Sequence, residues 1–394
     1  MERIGIYGGT FNPPHIGHMQ AARQAAALLC LDKLLLIPDR IAPHKILPEC
    51  SASAEQRLQM LKIAASGIPV ATVSDLELKR EGTSYTYLTI LELKEQYPDA
   101  QLFFIMGSDM FLSFHTWRNP QIIMENASLA VLCRGEKNEK QGIEEQKATL
   151  EAQDAKVVLI PNEITAISST DLRRMLVFGC ADPYLPEGVG EYIRENALYS
   201  VAKDYRQLSL EELEQTVVSL LDPKRVSHVL GCRDTAVLLA RHWGADETNA
   251  ARAGLLHDIT KALRGQLQLT LCREYGMILD DFSVMYPKTL HALTGSLVAD
   301  RIFGENEAVV EAIRHHTTGK ADMSLLEKII YVADYMEPCR DFPGVEKLRE
   351  LAYSDIDAAL QLGLEMTLEL LNKQGSEVSP ASREALAWLN RKDR

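Results

Sequence analysis

The 394-residue sequence predicts an α/β half followed by an all-α half. Up to about Leu198, short apolar runs alternate with amphipathic stretches, the pattern of strands joined through helices into a parallel sheet. From Ser209 onward only helical periodicity, capping residues and glycine stops follow. The length also exceeds what one ordinary core fills, since domains typically run to about 100–200 residues, so two domains are expected.

In chain order, residues 4–7 read as the first strand, 16–30 as a helix, 34–37 as a strand and 54–65 as a helix. Residues 102–106, 129–133 and 157–160 repeat the strand signal. Residues 135–153 are charged and Gln-rich without a strong apolar stripe, as in an exposed helix or an insertion without chemistry. Ser209 followed by Glu212 has the form of a capping box and starts a helix. The expected domains are therefore 1–198 and 209–394, joined by a linker over 199–208. No internal repeat relates them.

Hydrophobic residues make up 46% and charged residues 25%, ordinary globular usage. A net charge of -13 argues against a nucleic-acid partner, whose phosphates are met by Lys and Arg, but leaves small anionic ligands open. The start MERIGIYGGT has no apolar leader, and no run approaches the roughly 20 apolar residues of a membrane span. A soluble cytoplasmic protein without a membrane partner is expected, and a homo-oligomer is left open. The seven cysteines are scattered, odd in number and without a Cys-x-x-Cys pair, so reduced thiols are expected. Cys232, one helical turn after His228, could approach a metal, although buried filler is the favoured reading.

Directly after the first strand comes Gly8-Gly9-Thr10-Phe11-Asn12-Pro13-Pro14-His15-Ile16-Gly17-His18. Glycines let backbone N–H groups approach an anion, and a helix opening near Ile16 presents free donors and a positive dipole end. His15 and His18 can donate to phosphate oxygens whose charge grows as pyrophosphate departs. A second string, Ile167-Ser168-Ser169-Thr170-Asp171-Leu172-Arg173, offers hydroxyls, N–H groups and a guanidinium at another helix start. Gly107-Ser108-Asp109 follows a strand at the carboxyl edge where open α/β sheets bind ligands, and Asp109 could hold the adenosine.

The first string resembles the His-x-Gly-His signature of the Rossmann-like nucleotidyltransferase superfamily, and its longer Gly-Gly-Thr-Phe-Asn-Pro-Pro-His form resembles the nicotinate-nucleotide adenylyltransferases. The resemblance implies catalytic roles for His15, His18, Lys45 and Arg173. It places ATP and substrate at Gly8, Gly9, Thr10, Phe11, Gly107, Asp109, Ile167, Ser168, Ser169 and Thr170. Ser84-Tyr85-Thr86 and Trp117 resemble the family's pyridine-binding region, and Arg134 the Arg on its adenine or phosphate side. The implied reaction is in-line attack of the nicotinate mononucleotide phosphate on the α-phosphorus of ATP, with Mg2+ on the leaving pyrophosphate. Nicotinamide mononucleotide and pantetheine phosphate are the alternative acceptors. The Walker-type Gly-x-x-x-x-Gly-Lys-Ser/Thr loop of a kinase is not present.

In the second half, His228, the pair His257-Asp258, His291, His316 and Asp334 fall on separate helices or their ends, and imidazole with carboxylate suits one or two divalent metals. Of the ten His residues, six lie in this half and four at these positions. The order His, His-Asp, His, His, Asp is similar to the HD phosphohydrolase superfamily. The strings Leu255-Leu256-His257-Asp258 and His316-Thr317-Thr318-Gly319 resemble its bacterial members that split diadenosine tetraphosphate symmetrically. The resemblance implies iron, manganese or a similar ion at those six residues, and selects His316 over His315. Lys261 is a candidate for the catalytic phosphate site, with Arg314 and Arg340 behind it. The alternatives for this half are another nucleotide substrate or a metal-stabilised nucleotide sensor without turnover.

Overall fold

The computed structural model describes residues 1–41, 43, 47–133, 137–161, 165 and 167–392. They form two compact units, Met1–Lys203 and Asp204–Arg394.

The first unit is built on six parallel strands: β1 (Arg3–Gly9), β2 (Lys33–Pro38), β3 (Ala71–Val73), β4 (Gln101–Gly107), β5 (Ala127–Cys133) and β6 (Val157–Pro161). Their order is β3-β2-β1-β4-β5-β6, so the chain winds outward in both directions from the β1/β4 pair. That reversal opens a crevice beyond the strands' carboxyl ends, where Gly9 and Gly107 lie. Crossover helices cover both faces, so the strands read as continuous apolar runs and not as alternating ones. Ile4, Ile6, Phe104, Met106, Leu129 and Val131 form part of one continuous core.

Helix Ile16–Leu28 ends two residues before the position its sequence pattern suggests, because the chain turns at Cys30 with a φ of 47°. Helix Ala54–Ala65 matches its expected span and is opened by the reciprocal Ser53 and Gln56 cap. β3 has three residues at the sheet edge, too few to register as a pattern. The charged stretch is helical over Lys137–Glu151.

The second unit is all helical among the described residues. Ser209 and Glu212 cap its first helix, Leu210–Leu220. Helix Val226–Trp243 packs against Glu247–Leu256 and Leu325–Met336, and Leu290–Arg301 packs against Glu307–His315. These five helices surround the ligand cluster. Tyr199, placed by sequence in the linker, is 2% exposed and belongs to the first unit, where its hydroxyl donates to Asn12 Oδ1 at 2.8 Å. No helix among the described residues is long and apolar enough to cross a membrane. All seven cysteines are free thiols.

Candidate functional sites

In the first unit the loop after β1 passes into helix Ile16–Leu28 through His15 as N-cap. His15 and His18 close a reciprocal box. His18 N donates to His15 Nδ1 at 3.3 Å, and His15 N donates to His18 Nδ1 at 3.2 Å. Each Nδ1 is thereby an acceptor, which assigns the ring proton to Nε2. The rings stack with centroids 3.6 Å apart. Gly17 keeps the space between them open, since a Cβ there would sit a tight 3.1 Å from both His15 Nδ1 and Thr165 O. The pair thus presents Nε2–H donors of fixed orientation, suited to a phosphate.

The loop itself is tied from three sides. Arg57, 1% exposed, donates to Thr10 O at 2.6 Å, Asp39 O at 2.7 Å and Asp39 Oδ1 at 3.3 Å, while Thr10 Oγ1 donates to Asp39 Oδ2 at 2.7 Å. Buried Asn12 receives the Tyr199 hydroxyl and donates to Ser51 Oγ at 2.8 Å. From the second string, Arg173 Nη1 donates to Asn12 O at 2.7 Å and Ser169 Oγ to Pro13 O at 3.0 Å. The structure therefore brings together the two strings, over 150 positions apart in the chain. Burial lowers the Arg173 pKa from its ordinary value. Ser168 caps helix Ser169–Val177 by accepting from Asp171 N, with Ile167 just outside it and Thr170 inside.

Gly8, Gly9 and Gly107 end neighbouring strands, Phe11 takes a positive φ of 48°, and Asp109 lies exposed in the first turn of helix Ser108–Leu112. Ser84 accepts from Arg40 N at 3.0 Å, and Thr86 begins helix Thr86–Gln96 with Tyr85 as N-cap. Arg118 covers the Tyr85 ring at 4.7 Å. Trp117 is half-buried and packs on Phe104 and Phe114. Lys45 and Arg134 lie outside the described residues.

In the second unit, His228 is near the start of helix Val226–Trp243, His257 caps the end of Glu247–Leu256, and Asp258 follows it. His291 opens Leu290–Arg301, His316 caps the end of Glu307–His315, and Asp334 lies within Leu325–Met336. The ligand atoms of His228, His257 and Asp334 form one group within 4.8 Å, and those of His257, Asp258 and His316 a second. His291 Nε2 stands 3.5 Å from Asp258 Oδ1.

Buried Asp258 Oδ1 and His316 Nε2 have no hydrogen-bond partner although they lie 3.7 Å apart, so the donor set fits a cation between them. His257 Nδ1 contacts Gly254 O at 2.7 Å and His316 Nδ1 contacts Ile313 O at 2.6 Å, which turns each Nε2 inward. Burial alone would lower the His228 pKa, but Asp258, Asp334 and Glu337 hold it at about 9, and a divalent ion would answer the same demand for positive charge. Burial brings His257 down to about 4.

His315 points elsewhere. Its Nδ1 is 2.9 Å from Glu327 Oε1 and it groups with Glu311 and Glu327, so of the two adjacent imidazoles His316 is the one that joins Asp258 and His257. Cys232 is fully buried, burial pushes its thiol well above the ordinary range, and it belongs to neither group. Lys261 Nζ reaches His291 Nε2 at 2.8 Å, and burial lowers its pKa. Arg314 sits in an i, i+3 pair with Glu311 and not on a ligand carboxylate. Sequence reasoning missed Glu337, whose Oε1 lies 3.0 Å from His228 Nδ1 and whose Oε2 accepts from Cys339 N at 2.7 Å. Gly231 makes room for it, because a Cβ there would stand 2.7 Å from Glu337 Oε2. Arg57, Tyr199 and Arg225 were missed as well. Arg57 carries a readable signal: it falls on the buried stripe of its helix with Met60, Leu61, Ala64 and Ala65.

Family models match in two places, cytidylyltransferase-like over residues 6–175 and HD domain over residues 225–339. A probable nicotinate-nucleotide adenylyltransferase of Neisseria meningitidis serogroup C is 36% identical over 201 residues, covering 50% of this chain and 99% of that relative. One from Aeromonas salmonicida is 38% identical over 208 residues, covering 50% and 96%. A solved Clostridium acetobutylicum protein, described as a predicted HD superfamily hydrolase involved in NAD metabolism, is 38% identical over 47% of this chain and 98% of its own, with a TM-score of 0.46. The Plasmodium falciparum nicotinic acid mononucleotide adenylyltransferase complexed with NaAD is 20% identical over 51% and 98%, with a TM-score of 0.42. Fold and motifs define a nucleotidyltransferase domain followed by an HD domain. Through its first half the chain belongs to the nicotinate-nucleotide adenylyltransferase family.

The seat of the His316 turn yields a stability prediction. Glu327, 2% exposed, meets His315, Lys320 Nζ at 2.9 Å and Ser324 N at 2.6 Å. Burial alone would raise its carboxyl, but these partners outweigh burial and hold it at about 2. A depressed folded-state pKa stabilises fully above the ordinary value near 4.5 and is lost as pH falls through about 2. Glu327→Gln should cost roughly 3 kcal/mol at pH 7 and progressively less from pH 4.5 to 2. Urea unfolding of the full chain across that range measures it, and parallel curves for the two proteins would refute the assignment.

Proposed function

We propose that the first half joins the phosphate of nicotinate mononucleotide to the adenylyl group of ATP. The carrying observation is the convergence of the two phosphate strings on Asn12 O and Pro13 O. A phosphate oxygen of the mononucleotide forms a bond to the α-phosphorus, the bond from that phosphorus to the bridging oxygen breaks, and pyrophosphate leaves. The Nε2–H groups of His15 and His18 meet charge as it develops, and Arg173 sits at the junction of the strings. Mg2+ travelling with ATP supplies further neutralisation. Ser84 and Tyr85 stand at the proposed pyridine end.

His18→Ala should keep its fold and lose about 100- to 1,000-fold in kcat, the usual cost of one donor to a developing oxyanion, roughly 3–4 kcal/mol. Release of pyrophosphate from ATP and nicotinate mononucleotide by the full chain measures it. Unimpaired turnover in the folded variant would end the assignment. In the same assay the amide mononucleotide should give a lower kcat/KM than the acid. Equal values would overturn that specificity.

For the second half we propose metal-dependent hydrolysis of diadenosine tetraphosphate to two ADP. Here the supporting observation is the convergence of His228, His257, His291 and His316 onto Asp258, with Asp334 beside His228 and His257. One water oxygen joins one of the two central phosphorus atoms, and the oxygen bridging them leaves with the other half. His228, His257 and Asp334 would hold one divalent ion, His291 and His316 a second, with Asp258 between them. Such ions supply Lewis acidity at the reacting phosphate. Asp258→Ala in the full chain should remove metal, read by elemental analysis, together with hydrolysis, read by chromatography of ADP, and leave pyrophosphate release intact. A wild type that carries metal but cleaves no dinucleotide is a sensor and not this hydrolase.

A further inference from the structure

The carboxylates of the second centre are shared with guanidinium groups. Arg225, the N-cap residue of helix Val226–Trp243, pairs with Asp258 Oδ2. Arg340 Nη2 donates to Asp334 Oδ1 at 2.6 Å, and its Nε donates to Asp334 O at 2.8 Å. Asp258 Oδ2 and Asp334 Oδ1 are the same oxygens that approach His228 Nε2, at 3.6 and 3.2 Å. A third cation, Lys261, lies 3.8 Å from Asp258 Oδ1. The three cationic side chains are 30%, 36% and 35% exposed, whereas Asp258 is 2% exposed, so they form the outer rim of a buried cluster.

Three features of this rim point to an anionic ligand. Arg225 Nε is buried and has no hydrogen-bond partner, an uncommon and costly condition for a guanidinium donor. Arg225, Arg340 and Lys261 all stand on the two carboxylates Asp258 and Asp334, so like charges are crowded together. Finally, the three cations match the three carboxylates Asp258, Asp334 and Glu337, leaving the cluster formally neutral when its imidazoles are neutral. Each divalent ion held there would then add two positive charges that no protein group offsets. Orthophosphate brings at most about two negative charges at neutral pH, concentrated on one centre. Consecutive phosphates bring more, spread along a chain able to reach cations standing on different ligands.

We propose that Arg225 and Arg340 form a polyphosphate clamp, exchanging their carboxylate partners for the phosphates of a ligand with at least two consecutive phosphate groups, so that metal and polyphosphate bind with positive cooperativity. This rests on the reading of the six residues as a metal centre, and not on which bond is cleaved. A guanidinium on Asp258 or Asp334 competes with a divalent ion for the same oxygen. A phosphate that takes over the guanidinium removes this competition, and linkage requires the ion to strengthen phosphate binding by the same factor.

The test uses the full chain, with Mn2+ as the metal, tripolyphosphate and orthophosphate as probes, and free Mn2+ held constant by a metal buffer. Binding that persists in Asp258→Ala is the baseline from the first unit. Above it, tripolyphosphate should bind at least 10-fold more tightly than orthophosphate. Arg225→Met and Arg340→Met should each weaken tripolyphosphate about 10-fold, while Mn2+ measured without the anion binds equally or more tightly. Arg225→Lys and Arg340→Lys should restore part of the loss and serve where a Met variant does not fold. Opposite movements of metal and anion affinity are the signature, since guanidinium groups that merely hold the carboxylates in place would weaken both together. Such joint weakening, or tripolyphosphate affinity within twofold of wild type, overturns the clamp. So does a wild type without Mn2+-dependent tripolyphosphate binding above the baseline. A wild type that binds as described but cleaves no diadenosine tetraphosphate supports the clamp and ends the hydrolase assignment alone.

Discussion

A charge taken out of water must be met by other charges and hydrogen bonds, and each unit of this chain is organised around one such group. In the first it is Arg57, whose guanidinium is held by Thr10 O, Asp39 O and Asp39 Oδ1. Removing one partner from a buried pair of this kind typically costs about 3–5 kcal/mol, because the other is left uncompensated. The glycine-rich loop, whose backbone is intrinsically free, is therefore fixed by a helix packed beneath it. In the second unit the group is Asp258, with imidazoles and cations arriving from several helices. The groups around this carboxylate come from several of the packed helices, so the same contacts tie the helices together and build the centre.

The legible parts of the sequence were those whose physics is local. The loop after β1, the cap at Ser209, and the His and Asp residues of which five fall into two close groups were readable, because turn geometry, capping and ligand chemistry depend on residue type and short spacing. What escaped depends on contacts distant in sequence. Tyr199 looks like linker until Asn12, 187 residues away, is placed beside its hydroxyl. Glu337 carries no local mark that sets it apart from the chain's other carboxylates, and its part in orienting His228 becomes visible only when residues 109 positions apart meet. The edge strand β3 pairs with β2 over three residues, so tertiary pairing and not local pattern defines it. Arg57 is the instructive case, since an arginine at the first position of an apolar helical stripe is a local anomaly that calls for a buried acceptor.

In the functions proposed for them, the two units would meet phosphate by different physical means. In the first, most of the proposed donors are dipolar, backbone N–H groups at helix starts and two imidazoles whose ring protons are assigned to Nε2 by the reciprocal His15 and His18 box, with the Arg173 guanidinium at the junction of the strings. Dipoles of this kind bind an anion without burying a full uncompensated charge, and suit a pyrophosphate that must leave again. In the second, the three carboxylates and three cations balance once the imidazoles are neutral, as metal ligands are, so it is the charge of the bound ions that would draw an anion. On these proposals, affinity for anions in the second unit depends on the metal, whereas in the first it rests on the loop and helix starts themselves. A glycine serves each arrangement, Gly17 by admitting Thr165 O and the His15 ring, and Gly231 by admitting the Glu337 carboxylate. In the second unit the missing Cβ lets a carboxylate approach the helix closely enough to hold the His228 imidazole, and in the first it leaves room beside the helix start for the His15 ring.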